Sequence, residues 1–361
     1  MERILFIMGN MGLGGAETHI MKVYRKIDRK KYQFDFILNV ANKCYYEDEI
    51  VELGGRIFRV TPKSKSVIQN YTDIKKIVQD KQYKIVFKCG EQAMSWTEML
   101  AAKQGGAIKR IMRSTNSKGG ASKLSYLVHC ISRIPLNILV TDKIAPSREA
   151  GIWLFGKENV NSVTLMNNGL NLAEYEYIEN YRLKYRQEFN IPETAYVVGH
   201  VGRFSQQKNH VFLLKVFKEI QKKREDSYLV LVGDGELLED VKSAVKKMQL
   251  EDKVIFAGNR KDVNRIYSAF DVFVFPSLYE GLPNTLIEAQ ANGLRCFASD
   301  TITREANITD NTVYIPLNDP SEWGTIICST PYKRKNPRKP FQEKCYTIES
   351  VVEKYEEIFA R

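Results

Sequence analysis

The sequence predicts an α/β protein with two halves of the same design. Short apolar runs that are typical of buried strands alternate with amphipathic, helix-forming stretches along the chain. In both halves a strand-like run enters a glycine-containing loop and then a helix, first at residues 11–17 and again at residues 202–208. Such alternation is typical of parallel sheets that helices cover on both faces. A chain of 361 residues is long enough for two domains of this kind.

The first half contains five strand-like runs and the helices that connect them. The predicted strands are residues 4–8, 34–40, 85–89, 110–114 and 143–146. The predicted helices are residues 16–27, 71–80 and 95–104, and another begins near Ser147. Residues 124–140 are amphipathic and rather apolar, which leaves two interpretations open: packing in the core, or contact with a bilayer or a lipid tail.

The second half repeats the alternation after a turn-rich joint at residues 167–171. The predicted strands are residues 196–201, 228–232, 254–257, 272–275 and 295–299, and the predicted helices are residues 210–223, 237–248, 263–269 and 283–292. A basic, proline-containing linker occupies residues 332–340, and residues 348–359 have an apolar helical face. We therefore predict a first domain at residues 1–170, a second domain at residues 171–345, and a terminal helix at residues 346–361.

The composition is that of a globular protein in a reducing compartment. Hydrophobic residues make up 43% of the chain and charged residues 27%, and no run of 18 apolar residues is present. The first residues do not resemble a signal peptide, so we expect a cytoplasmic protein. The six cysteines are scattered without a Cys-x-x-Cys motif, which argues against a metal or disulfide framework.

The net charge of +11 is concentrated in the first half of the chain. Residues 1–180 contain 27 Lys and Arg against 18 Asp and Glu, whereas residues 181–361 contain 27 against 25. A merely solvated surface explains this excess, and so does attraction to an anionic partner such as a membrane surface or a diphosphate-bearing lipid. No nucleic-acid-binding motif is present, so we do not expect a nucleic-acid partner.

The most informative segment is residues 273–291, which contains Glu280 and Glu288. A buried-type strand ends at Pro276, a tight loop follows, and a helix then begins at Pro283, where a missing N–H is tolerated. The N-terminus of that helix favours phosphate through its free N–H groups and its dipole. Glu288 is set among apolar residues, and a ribose or sugar hydroxyl would satisfy its carboxylate. Alone, the segment is equally compatible with a structural loop and a core helix.

A second segment supplies positive charge at the start of another helix. Gly202 frees the backbone at the end of a strand, and Arg203 and Lys208 follow it directly before the helix that begins at His210. Two cations at this place suit a diphosphate leaving group. The alternative is a pair of solvated surface cations.

Together these segments resemble the retaining glycosyltransferases of family 4, which have the GT-B fold. The resemblance covers essentially the whole chain and is strongest over residues 199–316, and the segments at 280–291 and 299–305 look like bacterial capsular or exopolysaccharide transferases. It implies two Rossmann-like, doubly wound domains that face each other across a cleft, with the C-terminal helix crossing back to the first domain. The acceptor would bind to the first domain, and the nucleotide-sugar donor to the second.

The resemblance also implies roles for individual residues. Arg203 and Lys208 would bind the donor diphosphate, Glu280 would contact and orient the transferred sugar, and Glu288 would bind the nucleotide ribose. The other implied donor-binding residues are Gly202, Gly281, Leu282, Asn284 and Thr285, the first-domain glycines Gly14 and Gly15, and, at the base, Asn259 and Arg260.

The glycine-rich loop at residues 12–17 is weak support by itself, because dinucleotide enzymes have similar loops. The Gly-x-Gly-x-x-Gly spacing fails here, since Glu17 or Thr18 occupies the region of the third glycine. An acidic ribose ligand after the second strand is also absent, and Asn39 is the nearest polar residue. A dinucleotide-binding enzyme is therefore disfavoured.

One departure concerns the acceptor side, where many family members have histidines. This chain has Lys88-Cys89-Gly90-Glu91 and Arg113-Ser114-Thr115-Asn116 at those places, and none of its four histidines falls there. Glu91, Arg113 and Asn116 remain the acceptor-side candidates. We expect His200, in a strand, and His210, at a helix start, to be structural.

The predicted function is transfer of a hexose or N-acetylhexosamine from a nucleotide-diphosphate sugar, with UDP as the expected nucleotide, to a lipid-linked glycan in capsular or exopolysaccharide synthesis. Retention of anomeric configuration is implied by the resemblance alone. No Asp-x-Asp follows an apolar strand, so we expect neither a metal nor another cofactor. The expected location is the inner face of an anionic membrane. Two alternatives are an epimerase on the same fold and a non-catalytic scaffold that binds nucleotide sugar or a partner transferase.

Overall fold

The computed structural model describes residues 1–115, 123–280, 282–331, 333–334 and 336–361, and the side chain of Lys123 is not described. Asn116 and Gly281 therefore lie outside the described residues. The chain divides into two compact units. Unit 1 contains Met1–Gly169 together with Ile348–Arg361, and unit 2 contains Leu170–Thr347.

The described part of unit 1 has a seven-stranded, fully parallel sheet in the order β3-β2-β1-β4-β5-β6-β7. Its strands are β1 (Glu2–Met8), β2 (Tyr32–Leu38), β3 (Ile57–Arg59), β4 (Ile85–Gly90), β5 (Lys109–Ser114), β6 (Asp142–Ala145) and β7 (Val163–Leu165). Its helices are α1 (Gly15–Lys26), α2 (Glu47–Glu52), α3 (Val67–Asp80), α4 (Trp96–Gln104), α5 (Lys123–Leu139) and α6 (Arg148–Phe155).

Strand β1 shows why this sheet is buried on both faces. Ile4, Phe6 and Met8 point into one apolar cluster, and the alternating Leu5 and Ile7 point into another. A strand that is apolar at every position from Ile4 to Met8 needs helices above and below that part of it. The helices that follow the strands supply that cover.

The described part of unit 2 has a six-stranded, parallel sheet in the order β10-β9-β8-β11-β12-β13. Its strands are β8 (Tyr196–Val201), β9 (Ser227–Val232), β10 (Val254–Gly258), β11 (Val272–Phe275), β12 (Arg295–Ser299) and β13 (Thr312–Ile315). Its helices are α7 (Leu172–Tyr175), α8 (Glu179–Glu188), α9 (His210–Lys223), α10 (Leu238–Met248), α11 (Val263–Ile266), α12 (Asn284–Ala291), α13 (Pro320–Ser329) and α14 (Arg338–Glu343).

The last helix, α15 (Ile348–Ala360), belongs to unit 1. Tyr355 is fully buried and Phe359 nearly so, within the cluster that also contains Phe34 and Phe87. The predicted return of the terminal helix to the first domain is thus confirmed. Among the described helices, none is long and apolar enough to cross a membrane.

The structure corrects the prediction at residues 332–340. We expected a linker there, but α14 begins at Arg338, inside that range. Pro340 lies in the first turn of α14, where a missing N–H breaks no helical hydrogen bond, and Phe341 is fully buried. Arg338–Pro340 therefore belong to a helix that Phe341 anchors in the core of unit 2.

Candidate functional site

Two loops meet at the point where the strand order of the unit 2 sheet reverses. Strands β8 and β11 are neighbours, and the order runs outward from them in opposite directions. In open parallel sheets, ligands bind at the carboxyl ends of the strands at such a switch point. The loops that leave β8 and β11 contain Arg203, Lys208 and Glu280, and the N–H of Leu278 donates a hydrogen bond to the carbonyl of Gln207 at 2.8 Å. Residues far apart in sequence are therefore brought together at one edge.

An ion pair between Lys208 and Glu280 forms the centre of this site. The ammonium Nζ of Lys208 donates to Oε1 of Glu280 at 2.7 Å, and Nε2 of Gln207 donates to Oε2 at 3.0 Å. The side chains of Lys208 and Glu280 are only 14% and 8% exposed. Lys208 Nζ also lies 4.7 Å from the ring centre of Phe275. The pair is thus held rigidly and mostly out of water.

Arg203 is the exposed cation of the site. Its side chain is 73% exposed and forms an ion pair with Glu236 at 3.1 Å. An exposed pair of this kind contributes little to stability, so an anionic ligand can compete for the guanidinium. Arg203 and Lys208 therefore offer two kinds of positive charge, one exposed and one held in a mostly buried ion pair.

A pocket of about 260 Å³ opens beside Arg203, at the carboxyl ends of β8, β9 and β10. Gly233 makes this arrangement possible, because a Cβ atom there would lie 2.1 Å from the carbonyl oxygen of Gly202, and its φ is +140°. The pocket is lined by Val201, Gly202, Arg203, Val232, Gly233, Asp234, Asn259, Arg260 and Val263. Four residues that were predicted for donor binding, Gly202, Arg203, Asn259 and Arg260, share this pocket.

The guanidinium of Arg260 is already engaged. It donates to both carboxylate oxygens of Asp262 at 2.8 and 2.9 Å, and to Glu188 at 2.5 Å. Hydrogen bonds from Arg260 and Tyr185 hold the pKa of the Asp262 carboxyl far below its usual range, despite partial burial. With its guanidinium fixed in this way, Arg260 forms part of the pocket wall.

Glu288 lies on α12 and is supported by two tyrosines. The hydroxyl of Tyr267 donates to Oε2 of Glu288 at 3.0 Å. Burial and then the Glu288 charge raise the pKa values of both Tyr267 and Tyr175, so each phenol stays protonated and able to donate. These donors hold the carboxylate in place. A carboxylate held in this way can accept hydrogen bonds from the hydroxyls of a polyol.

Helix α12 begins close to the predicted position. Pro283 is the N-cap, one place earlier than the first helical position that the sequence predicted, and Asn284 is the first helical residue. Asn284 is exposed, and Leu282 and Thr285 are half-buried. The hydroxyl groups of Thr285 and Ser277 are buried and have no hydrogen-bond partner among the described residues. The Thr285 hydroxyl lies in the first turn of α12, where it could donate to a ligand with acceptor oxygens.

The candidate residues of unit 1 have different surroundings. Gly14 caps α1, and Gly15 is its first residue, so both lie at the carboxyl end of β1. Glu91 is half-buried beside the end of β4, and its carbonyl accepts from the indole of Trp153 at 2.8 Å. Arg113 is only 2% exposed and donates to the side chain of Asn168 at 2.8 Å. Arg113 is thus a buried support of the segment before Gly169 rather than a solvent-facing group.

His200 and His210 lie behind the loop that follows β8, and both are buried as expected. Their rings meet edge to face at 4.9 Å, and His210 stacks on Phe204 at 4.2 Å. Nδ1 of His200 bonds the carbonyl of Val274 at 2.8 Å. Burial and then the Lys208 charge lower the pKa of His210 to about 4, and burial lowers that of His200 as well.

Because the pKa values of these two histidines are lowered, we expect the stability of unit 2 to fall in acid. Unfolded histidine has a pKa of about 6.5, so the unfolded chain binds more protons than the folded one as the pH falls below that value. The contribution of these histidines to the free energy of unfolding is therefore fully present above pH ~6.5 and is lost as the pH falls towards ~4. For His210 the loss amounts to roughly 3 kcal/mol. Thermal unfolding between pH 7 and pH 4.5 measures this loss. His210→Phe keeps a ring against Phe204 and is expected to reduce this loss of stability in acid. An equal loss in the variant and the wild type would show that other groups cause it.

Sequence reasoning missed several residues that complete the site. Tyr175 and Tyr267 support Glu288, Gln207 supports Glu280, and Glu236 pairs with Arg203. The Gly233-Asp234-Gly235 stretch directly after a strand was the sequence signal that could have indicated the pocket, since Gly233 and Asp234 line it. Among the described residues, no group of three His, Cys, Asp or Glu side chains could hold a metal ion.

Comparison with known proteins finds relatives along most of the chain. The family described as "Glycosyl transferases group 1" matches residues 182–322. A Bacillus subtilis protein named "Putative glycosyltransferase EpsF" is 33% identical over 333 residues, which cover 90% of this chain and 87% of that protein. An Escherichia coli "UDP-Gal:alpha-D-GlcNAc-diphosphoundecaprenol alpha-1,3-galactosyltransferase" is 34% identical over 141 residues, which cover 38% of this chain and 36% of that enzyme.

The fold has a counterpart among solved structures. Anabaena HepE, crystallised in complex with UDP and glucose, aligns with a TM-score of 0.75 over 100% of both chains at 17% identity. At this identity the likeness concerns the fold alone. With the two parallel sheets described above, it confirms the predicted GT-B fold of two Rossmann-like domains.

Proposed function

Because the chain belongs to the group 1 glycosyl transferases, we propose that it transfers a hexose or N-acetylhexosamine from a UDP-sugar to a lipid-linked glycan. The observation that carries the proposal is the switch-point site of unit 2. There the Lys208–Glu280 ion pair adjoins Arg203, a pocket lies at the strand ends, and Glu288 follows in α12. This arrangement supports the proposal of a donor whose diphosphate lies between a sugar and a nucleoside.

Each group of the site has a place in the proposed reaction. Arg203 and Lys208 stabilise the diphosphate as it departs with negative charge, which is the largest catalytic contribution that we expect. Glu280 orients the sugar through its hydroxyls, and Glu288 binds the ribose. In the free protein, Nζ of Lys208 donates a hydrogen bond to Oε1 of Glu280 at 2.7 Å. Donor binding therefore exchanges one partner of Lys208 for phosphate and frees Glu280 for the sugar.

Two further features belong to the proposal. Retention of anomeric configuration follows from the resemblance to family 4. Metal independence is supported by the cations of Arg203 and Lys208 and by the N-terminus of α12, which supply the positive charge that a diphosphate needs. Both are open to direct measurement, by the anomeric configuration of the product and by transfer rates in the presence of a chelator.

The choice of donor and acceptor is supported by named relatives. The E. coli enzyme is named for a UDP-linked galactose and a diphosphoundecaprenol acceptor, and HepE was crystallised with UDP. By analogy we propose a role in capsular or exopolysaccharide synthesis, in the cytoplasm at the inner face of an anionic membrane. The positive excess of the first half of the chain supports such a location.

A panel of nucleotide sugars tests the proposal. Calorimetry of the purified protein with UDP-, GDP-, ADP- and CDP-sugars is expected to select UDP-sugars, and nucleotide release is expected only with an added membrane lipid extract. Binding of another nucleotide would overturn the UDP assignment. Donor turnover without any lipid would instead favour an epimerase.

A further inference from the structure

The outer face of helix α5 in unit 1 carries a continuous aliphatic stripe. Six of its side chains are between 41% and 73% exposed, and they recur every three or four residues, so they share one face of the helix. They are Leu124, Leu127, Val128, Ile131, Ile134 and Ile138. Isolated exposed apolar residues are ordinary, but a row of six on one helix marks an interaction surface.

The stripe is not the face with which α5 packs on unit 1. That inner face is fixed by His129, whose Nε2 bonds the carbonyl of Trp153 at 2.8 Å, by Ser132 and by the fully buried Leu136. Arg133 donates to the same Trp153 carbonyl at 2.7 Å. The inner face of this helix thus includes polar side chains while its exposed face is aliphatic, which departs from the usual arrangement. Core packing, one of the two interpretations left open for residues 124–140, does not apply to most of their aliphatic side chains, because these lie outside the core.

The sequence around the stripe has one sign of charge. Between Glu98 and Asp142 the chain contains seven Lys and Arg residues and no Asp or Glu. An exposed aliphatic row in a stretch that has cations and no acidic residues suits an anionic lipid surface, because the aliphatic groups enter the acyl region and no carboxylate of the stretch repels the headgroups. Two copies of this chain would bring like charges together, which disfavours self-association through the same face.

We propose that α5 docks unit 1 on an anionic bilayer, lying in the plane of the interface with its aliphatic stripe among the acyl chains. The helix packs on the short turn at Ala93–Ser95, just after the end of β4, through the contact of Ser132 with Met94. Docking here places the carboxyl edge of the unit 1 sheet close to the lipid headgroups. The meaning of this placement for a lipid-linked acceptor rests on the proposed function, whereas docking itself does not.

Vesicle binding tests the docking directly. The wild-type protein is expected to co-sediment with vesicles of phosphatidylglycerol and phosphatidylcholine, and only weakly with phosphatidylcholine alone. Ile131→Ser with Ile134→Ser is expected to weaken binding to the anionic vesicles at least about tenfold, because two aliphatic anchors are lost. The matched control is Ile68→Ser with Ile108→Ser, since those isoleucines are 80% and 72% exposed but lie outside α5.

The outcomes separate this inference from the proposed function. Equal vesicle binding by the α5 variant and the wild type would overturn the docking. A wild-type dimer that dissociates in the α5 variant would also overturn it, because a second copy would then be the occupant of the stripe. Docking without sugar transfer to any lipid would uphold the inference and overturn the proposed acceptor. Thermal unfolding of the α5 variant is expected to match that of the wild type, which reports that unit 1, the unit that contains α5, remains folded.

Discussion

Replacing Arg203 and Lys208 together with alanine is expected to abolish sugar transfer, with a loss of at least about a thousandfold in kcat/KM. Each cation stabilises charge that develops on the departing diphosphate, and removing one such group from a preorganised site costs roughly 3 kcal/mol of transition-state stabilisation. Initial rates of nucleotide release with a lipid extract measure the effect. Near-normal rates would refute the diphosphate site.

The control for this experiment must account for the partner of Lys208. Glu280 is only 8% exposed, so Lys208→Ala alone leaves a mostly buried carboxylate without its cation. Thermal unfolding of Lys208→Ala with Glu280→Ala therefore separates loss of stability from loss of binding. Lys222→Ala with Lys242→Ala removes the same formal charge from two exposed pairs, and it is expected to leave transfer unchanged.

Glu288→Ala is expected to weaken UDP binding by about ten- to a hundredfold, because a carboxylate that accepts hydrogen bonds from ribose contributes roughly 1.5–3 kcal/mol. Calorimetry with UDP measures the loss. Tyr267→Phe removes the 3.0 Å hydrogen bond to Glu288 and leaves the carboxylate in place. A smaller loss in that variant is expected, since it disturbs only the position of the carboxylate. Unchanged affinity in Glu288→Ala would refute the ribose role.

The alternation of strands and helices was readable from the sequence because burial on both faces leaves a continuous apolar run. Strand β11 shows this, since all four of its residues are buried. Short elements left weaker signals. Strand β3 has three residues, none of them fully buried, and the sequence did not reveal it. The core strands of each sheet were therefore predictable, whereas the three-residue strands β3 and β7 were not.

The site residues were predictable where a loop motif carries them, but their partners were not. Lys208 and Glu280 were both identified, yet nothing in the sequence shows that they form an ion pair across two loops. The support of Glu288 by Tyr175 and Tyr267 likewise depends on packing between distant segments. In α5 the period of the apolar residues is the same for a core face and an exposed face. Only the packing of its opposite side distinguishes them.

Transfer of labelled sugar into lipid tests the central claim most directly. The purified protein is incubated with a UDP-sugar labelled in the sugar and with membrane lipid extract, and the label in the organic phase is counted against released UDP. We expect label and UDP to appear in equal amounts with wild-type protein, and neither with the Arg203→Ala and Lys208→Ala double variant. UDP-sugar binding without label in any lipid would contradict the account and identify a non-catalytic scaffold.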